Sequence, residues 1–329
     1  MTTRFFTLLT LTMALTGLAS AQETTTKPTW AYAHDLRVRK GGTTDFDKDT
    51  PKIGVEFFKD DATGAVVAIT QAGFLTVAPM GAIGTDKKAG WLFAHDLRAR
   101  KGDEDKFTAT TAKFGVEAFK DAASGKLLYV SEKATLALAD PPSSVLTDEE
   151  PVWHHALIVK VRGANEKGFS KDTAKFGIEV FKDGNTGGLI YISDTASIAT
   201  APAPSTAPAP DKVKAPKALY GLTLRTRKAD EADFGKDTKS YGIEVFRDEN
   251  TGGLIYVSET GAIATAPATE TKTGQGVTWK HAMTLKARAG GVTEFAKATT
   301  FGIEVFQDNN TGYLVYISDI GAIGVLPKK

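Results

Sequence analysis

The sequence predicts an all-β chain built from five tandem repeats of about four antiparallel strands, and three observations carry that expectation. A Gly-Val/Ile-Glu-x-Phe motif recurs five times, its glutamates being Glu56, Glu117, Glu179, Glu244 and Glu304, spaced 61, 62, 65 and 60 residues apart. Each motif runs into an Asp-to-Gly turn (60–64, 121–125, 183–187, 248–252 and 308–312) and then a second apolar run. Upstream of each motif lies a stretch alternating between apolar and polar residues over about ten positions. A fixed period near 60 residues overrides the two-domain expectation that 329 residues would otherwise suggest.

The upstream stretch reads as the first strand of each repeat. In the first copy Trp30, Tyr32, His34, Leu36 and Val38 fall on one face and Asp35, Arg37 and Arg39 on the other. The same alternation follows Trp91, Trp153 and Trp279, while Ala218 replaces the tryptophan in the fourth copy. A loop of about a dozen residues follows, with a phenylalanine at a fixed place (Phe46, Phe107, Phe169, Phe234, Phe295), expected to plug the open end of a small core.

Gly-Ile-Glu-Val-Phe is β-branched and aromatic with a period of two, and so predicts a second strand. The run after the turn, such as 254–257, is apolar on both faces, as expected of a strand covered above and below. Between these two strands, glycine supplies a positive φ and Asp or Asn bonds back to the turn. Asp-x-Asn-x-Gly loosely echoes a calcium loop but lacks the later acidic ligands, so a hairpin turn is the reading taken. A short fourth strand such as 261–264 completes the unit.

The repeats span 29–79, 90–139, 152–200, 218–266 and 278–327. Tracts between them, above all 201–217 (APAPSTAPAPDKVKAPK), favour extended polyproline connectors. One four-stranded sheet of about 50 residues buries little apolar surface on its own. Radial closure into a five-bladed β-propeller is therefore expected, the alternative being a string of small β modules joined by the Pro/Ala-rich linkers.

Residues 1–21 have the form of a secretory signal: Arg4, an apolar run over 5–18, and Ala19-Ser20-Ala21 as the cleavage site, with 22–28 a polar lead-in. The apolar run is short for a membrane span, and no other stretch qualifies. Cysteine is absent, which fits a secreted or periplasmic bacterial setting. Arg4 is the one charged residue of the signal, so 39 basic residues balance 39 acidic ones after cleavage near Ala21. That balance offers no electrostatic footprint for nucleic acid.

Catalytic signatures are missing: no nucleophile elbow, no phosphate loop, no His-Glu-x-x-His. Glu179 and Asp183, four apart on a strand, would stand about 13 Å apart, too far for a glycosidase pair. The recurring glutamates are instead expected to pair with the arginine ending the first strand of the same repeat: Arg39 with Glu56, Arg100 with Glu117, Arg162 with Glu179, Arg227 with Glu244, and Arg288 with Glu304. His34, His95, His155 and His281 are expected as hydrogen-bonded core residues, and His154 and His155, adjacent on a regular strand, should point to opposite faces.

Neither metal nor cofactor is expected. The function expected is non-enzymatic, multivalent binding of a polysaccharide or other repetitive ligand, with Trp30, Trp91, Trp153 and Trp279 as stacking candidates unless they anchor the core. The alternative is a structural envelope or matrix protein whose repeats contact protein partners.

Overall fold

The computed structural model describes residues 27–79, 81–142, 149–202 and 212–328; the signal segment and most of the polar lead-in lie outside them. Twenty strands form five four-stranded antiparallel sheets, one per repeat, arranged as a five-bladed propeller. Each sheet is a meander in chain order, as in the first blade: Thr29–Arg37, Lys52–Asp60, Ala65–Thr70 and Leu75–Pro79. The fourth strands are innermost. Leu75–Pro79 touches Leu136–Ala139, and contact continues through Ile198–Ala201, Ile263–Ala266 and Ile323–Leu326 back to the first. These five strands leave a cavity of only about 70 Å³ on the axis. The first strands form the outer rim. One face, here called upper, carries the loops between first and second strands. The lower face carries the Asp-to-Gly turns and the described parts of the connectors.

Two-sided burial of the middle strands explains why the blades close rather than hang as beads. Each of the five hydrophobic cores is shared by two neighbours. Phe119, Leu128 and Val130 of blade 2 pack with Tyr32, Leu36 and Val55 of blade 1. Phe58, Val67 and Ile69 of blade 1 close the ring against Met283, Leu285 and Val305 of blade 5.

The motif glycine makes this approach possible. A Cβ on Gly177 would lie 1.9 Å from the carbonyl oxygen of Arg100 in the preceding blade, and one on Gly54 2.0 Å from that of Arg288. Gly115, Gly242 and Gly302 face the equivalent arginine carbonyls at 2.0–2.2 Å. Only a residue without a side chain lets one blade's second strand slide beneath its neighbour's first.

Two expectations are corrected at the rim. A β-bulge after each tryptophan shifts the register, so that Trp91 opposes Phe119 while Phe93 opposes Ala118. One inserted residue moves everything before it to the other face. The tryptophans therefore share a face with the motif glutamates, and Tyr32, His34, Leu36 and Val38 face the next blade without Trp30. The loop phenylalanines do not plug a core: Phe46, Phe107 and Phe169 are among the exposed large apolar residues.

The connectors are clipped to the blade they enter. The turn asparagine Asn185 accepts the N–H of Glu149 and donates to its carbonyl, at 2.9 and 3.0 Å. Asn250 holds Lys214 in the same way at 2.7 and 2.9 Å. These bonds fix the segments just before the third and fourth blades; residues 143–148 and 203–211, which hold most of the Pro/Ala-rich tract, lie outside the described residues.

Candidate functional site

The rim between adjacent blades is built from four residue types already prominent in the sequence. In the gap between blades 1 and 2, Arg39 leaves the end of its strand and reaches across to Glu117. Its Nε donates to Oε1 at 2.7 Å and Nη2 to Oε2 at 3.2 Å. From blade 2 itself, the Trp91 indole N–H donates to the same Oε2 at 2.5 Å. Phe46 lies under the Arg39 guanidinium, 4.9 Å from ring centroid to Cζ, and meets Trp91 edge to face at 6.2 Å. One buried carboxylate thus orients a cation from one blade and an indole from the next.

The arrangement recurs around the ring. Arg100 pairs with Glu179, Arg227 with Glu304, and Arg288 with Glu56, each through two guanidinium nitrogens. Trp153, Trp279 and Trp30 donate to those same glutamates at 2.6–2.7 Å. The expected partners within a repeat are corrected: every glutamate takes the arginine of the preceding blade. The reason is geometric. The first-strand arginine sits past the end of its own sheet pairing, on the side that the next blade covers.

The tryptophan rings are half-exposed: Trp30 at 43%, Trp91 at 48% and Trp153 at 38%, with Trp279 partly covered. Their glutamates are buried. The result is a set of partly exposed indoles on a rim whose polar anchors are fixed from within.

The fourth gap differs. Ala218 stands where the tryptophan would, and among the described residues Arg162 makes a single hydrogen bond, Nε to Glu244 Oε1 at 2.5 Å. Its Nη2 lies against Gly221, where a Cβ would be only 2.4 Å away.

A second set of contacts, on the lower face, was missed in the sequence. The turn aspartates Asp60, Asp121, Asp183, Asp248 and Asp308 are all fully buried. Asp183 accepts from its own turn, Asn185 N–H and Thr186 hydroxyl, and from blade 2, His95 Nε2 at 3.1 Å and Tyr129 hydroxyl at 2.6 Å. His155 and Tyr191 meet Asp248 likewise, and His281 and Tyr316 meet Asp60. Burial pushes these carboxyls up, but the donors outweigh it and hold Asp60, Asp183 and Asp248 at about 2. The partner hydroxyls of Tyr129 and Tyr191 are pushed well above the ordinary phenol range, by burial first and the aspartate second. These oxygens are occupied by protein donors, so the turns are latches. Among the described residues no group of three or more His, Asp or Glu is placed to hold a metal ion.

The signal for these latches was a tyrosine at a fixed place in the third strand. In blade 1 that place is Ala68, and Tyr32 of the first strand supplies the hydroxyl to Asp121 instead, at 2.7 Å beside His34. In blade 4 there is no histidine, and Tyr220 joins Tyr256 on Asp308. The bulge also corrects the expectation for the adjacent histidines: the His154 and His155 rings stand 4.8 Å apart, their Nδ1 atoms 2.6 Å from each other.

No helix among the described residues is long and apolar enough to cross a membrane. Compared with protein-family models, with curated proteins and with solved structures, the chain matches none.

Proposed function

We propose that this is an exported, non-enzymatic propeller that binds a polysaccharide or similar repetitive polymer multivalently through its rim. The observation that carries the reading is the set of four tryptophans at equivalent places, half-exposed or partly covered, each held at its N–H by a buried glutamate. A partly exposed ring fixed at its edge is preorganised for stacking on a sugar, which lowers the ordering cost of binding. One such contact gives millimolar affinity, about −4 kcal/mol. Several on one rigid ring raise apparent affinity for a polymer by about 10²- to 10⁴-fold where spacing allows. The near-neutral mature chain fits a ligand recognised without charge.

The test is retention of the full chain on a panel of insoluble polysaccharides, beside a variant carrying Ala at Trp30, Trp91, Trp153 and Trp279. Retention by the native protein, little changed by salt and lost in a variant that still melts cooperatively, supports the reading. Absence of retention on every polymer, with concentration-dependent self-assembly, would replace it with the matrix-protein alternative.

A further inference from the structure

We infer that the gap between blades 3 and 4 is a socket for an indole ring supplied from outside the chain. This inference is independent of the polysaccharide reading. It rests on the other four gaps, which show what occupies the same place when the chain provides it.

In those four gaps the motif glutamate receives an indole N–H on Oε2 and two nitrogens of the incoming arginine. In each, the arginine's Nη1 also donates to the carbonyl five residues on, as Arg100 does to Asp105 at 2.6 Å and Arg288 to Thr293 at 2.9 Å. The socket has none of these extras. Ala218 leaves out the ring, and among the described residues Arg162 forms only the bond from Nε to Glu244 Oε1. The Arg162 side chain is the most exposed of the five, at 26% against 5–16%. Phe169 beneath it is 49% exposed.

What remains, among the described residues, is a carboxylate oxygen with no donor, a guanidinium whose other nitrogens make no hydrogen bond, and a half-exposed phenyl ring, all on a rigid frame. Both Ala218 and Gly221 are exposed, so the place lies open to solvent. An entering indole would donate its N–H to Glu244 Oε2 and lay its edge against Phe169. Arg162 would swing away from Gly221 into the two-point pairing seen in the other gaps. The ligand class is therefore an aromatic ring with one in-plane N–H donor, borne either by a small molecule or by a tryptophan side chain.

The test uses the intact chain and ligand-observed NMR with three probes: indole, 1-methylindole and the peptide Ala-Trp-Ala. Indole should bind saturably, and 1-methylindole about tenfold or more weakly, because the donor to a charged acceptor is gone. Ala218→Trp should abolish indole binding and raise the melting temperature, since the chain then fills its own socket. Peptide binding as tight as that of indole would identify a polypeptide-borne side chain as the source, and binding of indole alone a small molecule. Lack of saturable indole binding by the native chain would overturn the inference. So would binding that neither N-methylation nor Ala218→Trp weakens.

Discussion

The lower latch and the rim join the same blades, yet they treat a lost donor in opposite ways. Where blade 1 lacks the third-strand tyrosine, Tyr32 brings a hydroxyl to Asp121 from another strand. Where blade 4 lacks the histidine, Tyr220 takes its place on Asp308. At the rim, no donor among the described residues replaces the missing indole opposite Glu244. Exposure accounts for the difference. A fully buried aspartate without its donors carries the whole desolvation penalty, whereas a partly open rim site can turn to water. Compensation within the repeats thus follows burial, and the uncompensated place is the one open to a ligand.

The most drastic way to break this comparison is to remove a blade. Deleting residues 277–329 strips blade 5 from two shared cores and takes Arg288, His281 and Tyr316 from Glu56 and Asp60. Loss of the cooperative thermal transition is expected. An unchanged midpoint with one-fifth less amplitude would instead describe independent modules.

Next in size are single latches. Asp183→Ala should cost about 2–5 kcal/mol in a urea titration, because it leaves two donors, on His95 and Tyr129, buried without their acceptor. Trp153→Ala at the rim should cost about 1.5 kcal/mol, the scale of one hydrogen bond to a charged group. Equal costs would remove burial as the deciding factor.

Acid sharpens the same contrast. Asp60, Asp183 and Asp248 sit at about 2 in the folded state against an ordinary value of 3.8. The unfolded chain therefore binds protons first, and the stability these groups contribute is complete above about pH 4 and lost as pH falls toward 2. The contribution of these aspartates to the urea midpoint should hold between pH 7 and 5, then drop between 4 and 2. Asp183→Asn, with one fewer such group, should show a shallower drop. A midpoint that is level down to pH 2 would contradict the latch account.

Much of the fold was legible because the repeat is strong and each strand obeys its period. The twenty strands, the turns at Gly64 and its equivalents, and closure by two-faced burial all follow from local pattern. What was not legible depends on the neighbouring blade. The motif glycine reads as a strand start until Gly177 is seen against the Arg100 carbonyl. The arginine partner reads as local because a single repeat offers only its own strands. The bulge after Trp30, which turns the ring to the glutamate's face, has no marker in the alternation; residue 31 is Ala there, 154 is His and 280 is Lys. The candidate tryptophans were visible as a set, but their half-exposure was fixed by that hidden slip.

The central claim is that the motif glutamates join blades rather than strands of one blade, and a pair of double-mutant cycles tests it most directly. Glu179→Ala combined with Arg100→Ala should be non-additive, with a coupling of about 1–3 kcal/mol. Glu179→Ala with Arg162→Ala should be additive to within about 0.5 kcal/mol, since Arg162 bonds Glu244. Coupling to Arg162 and additivity with Arg100 would contradict the account.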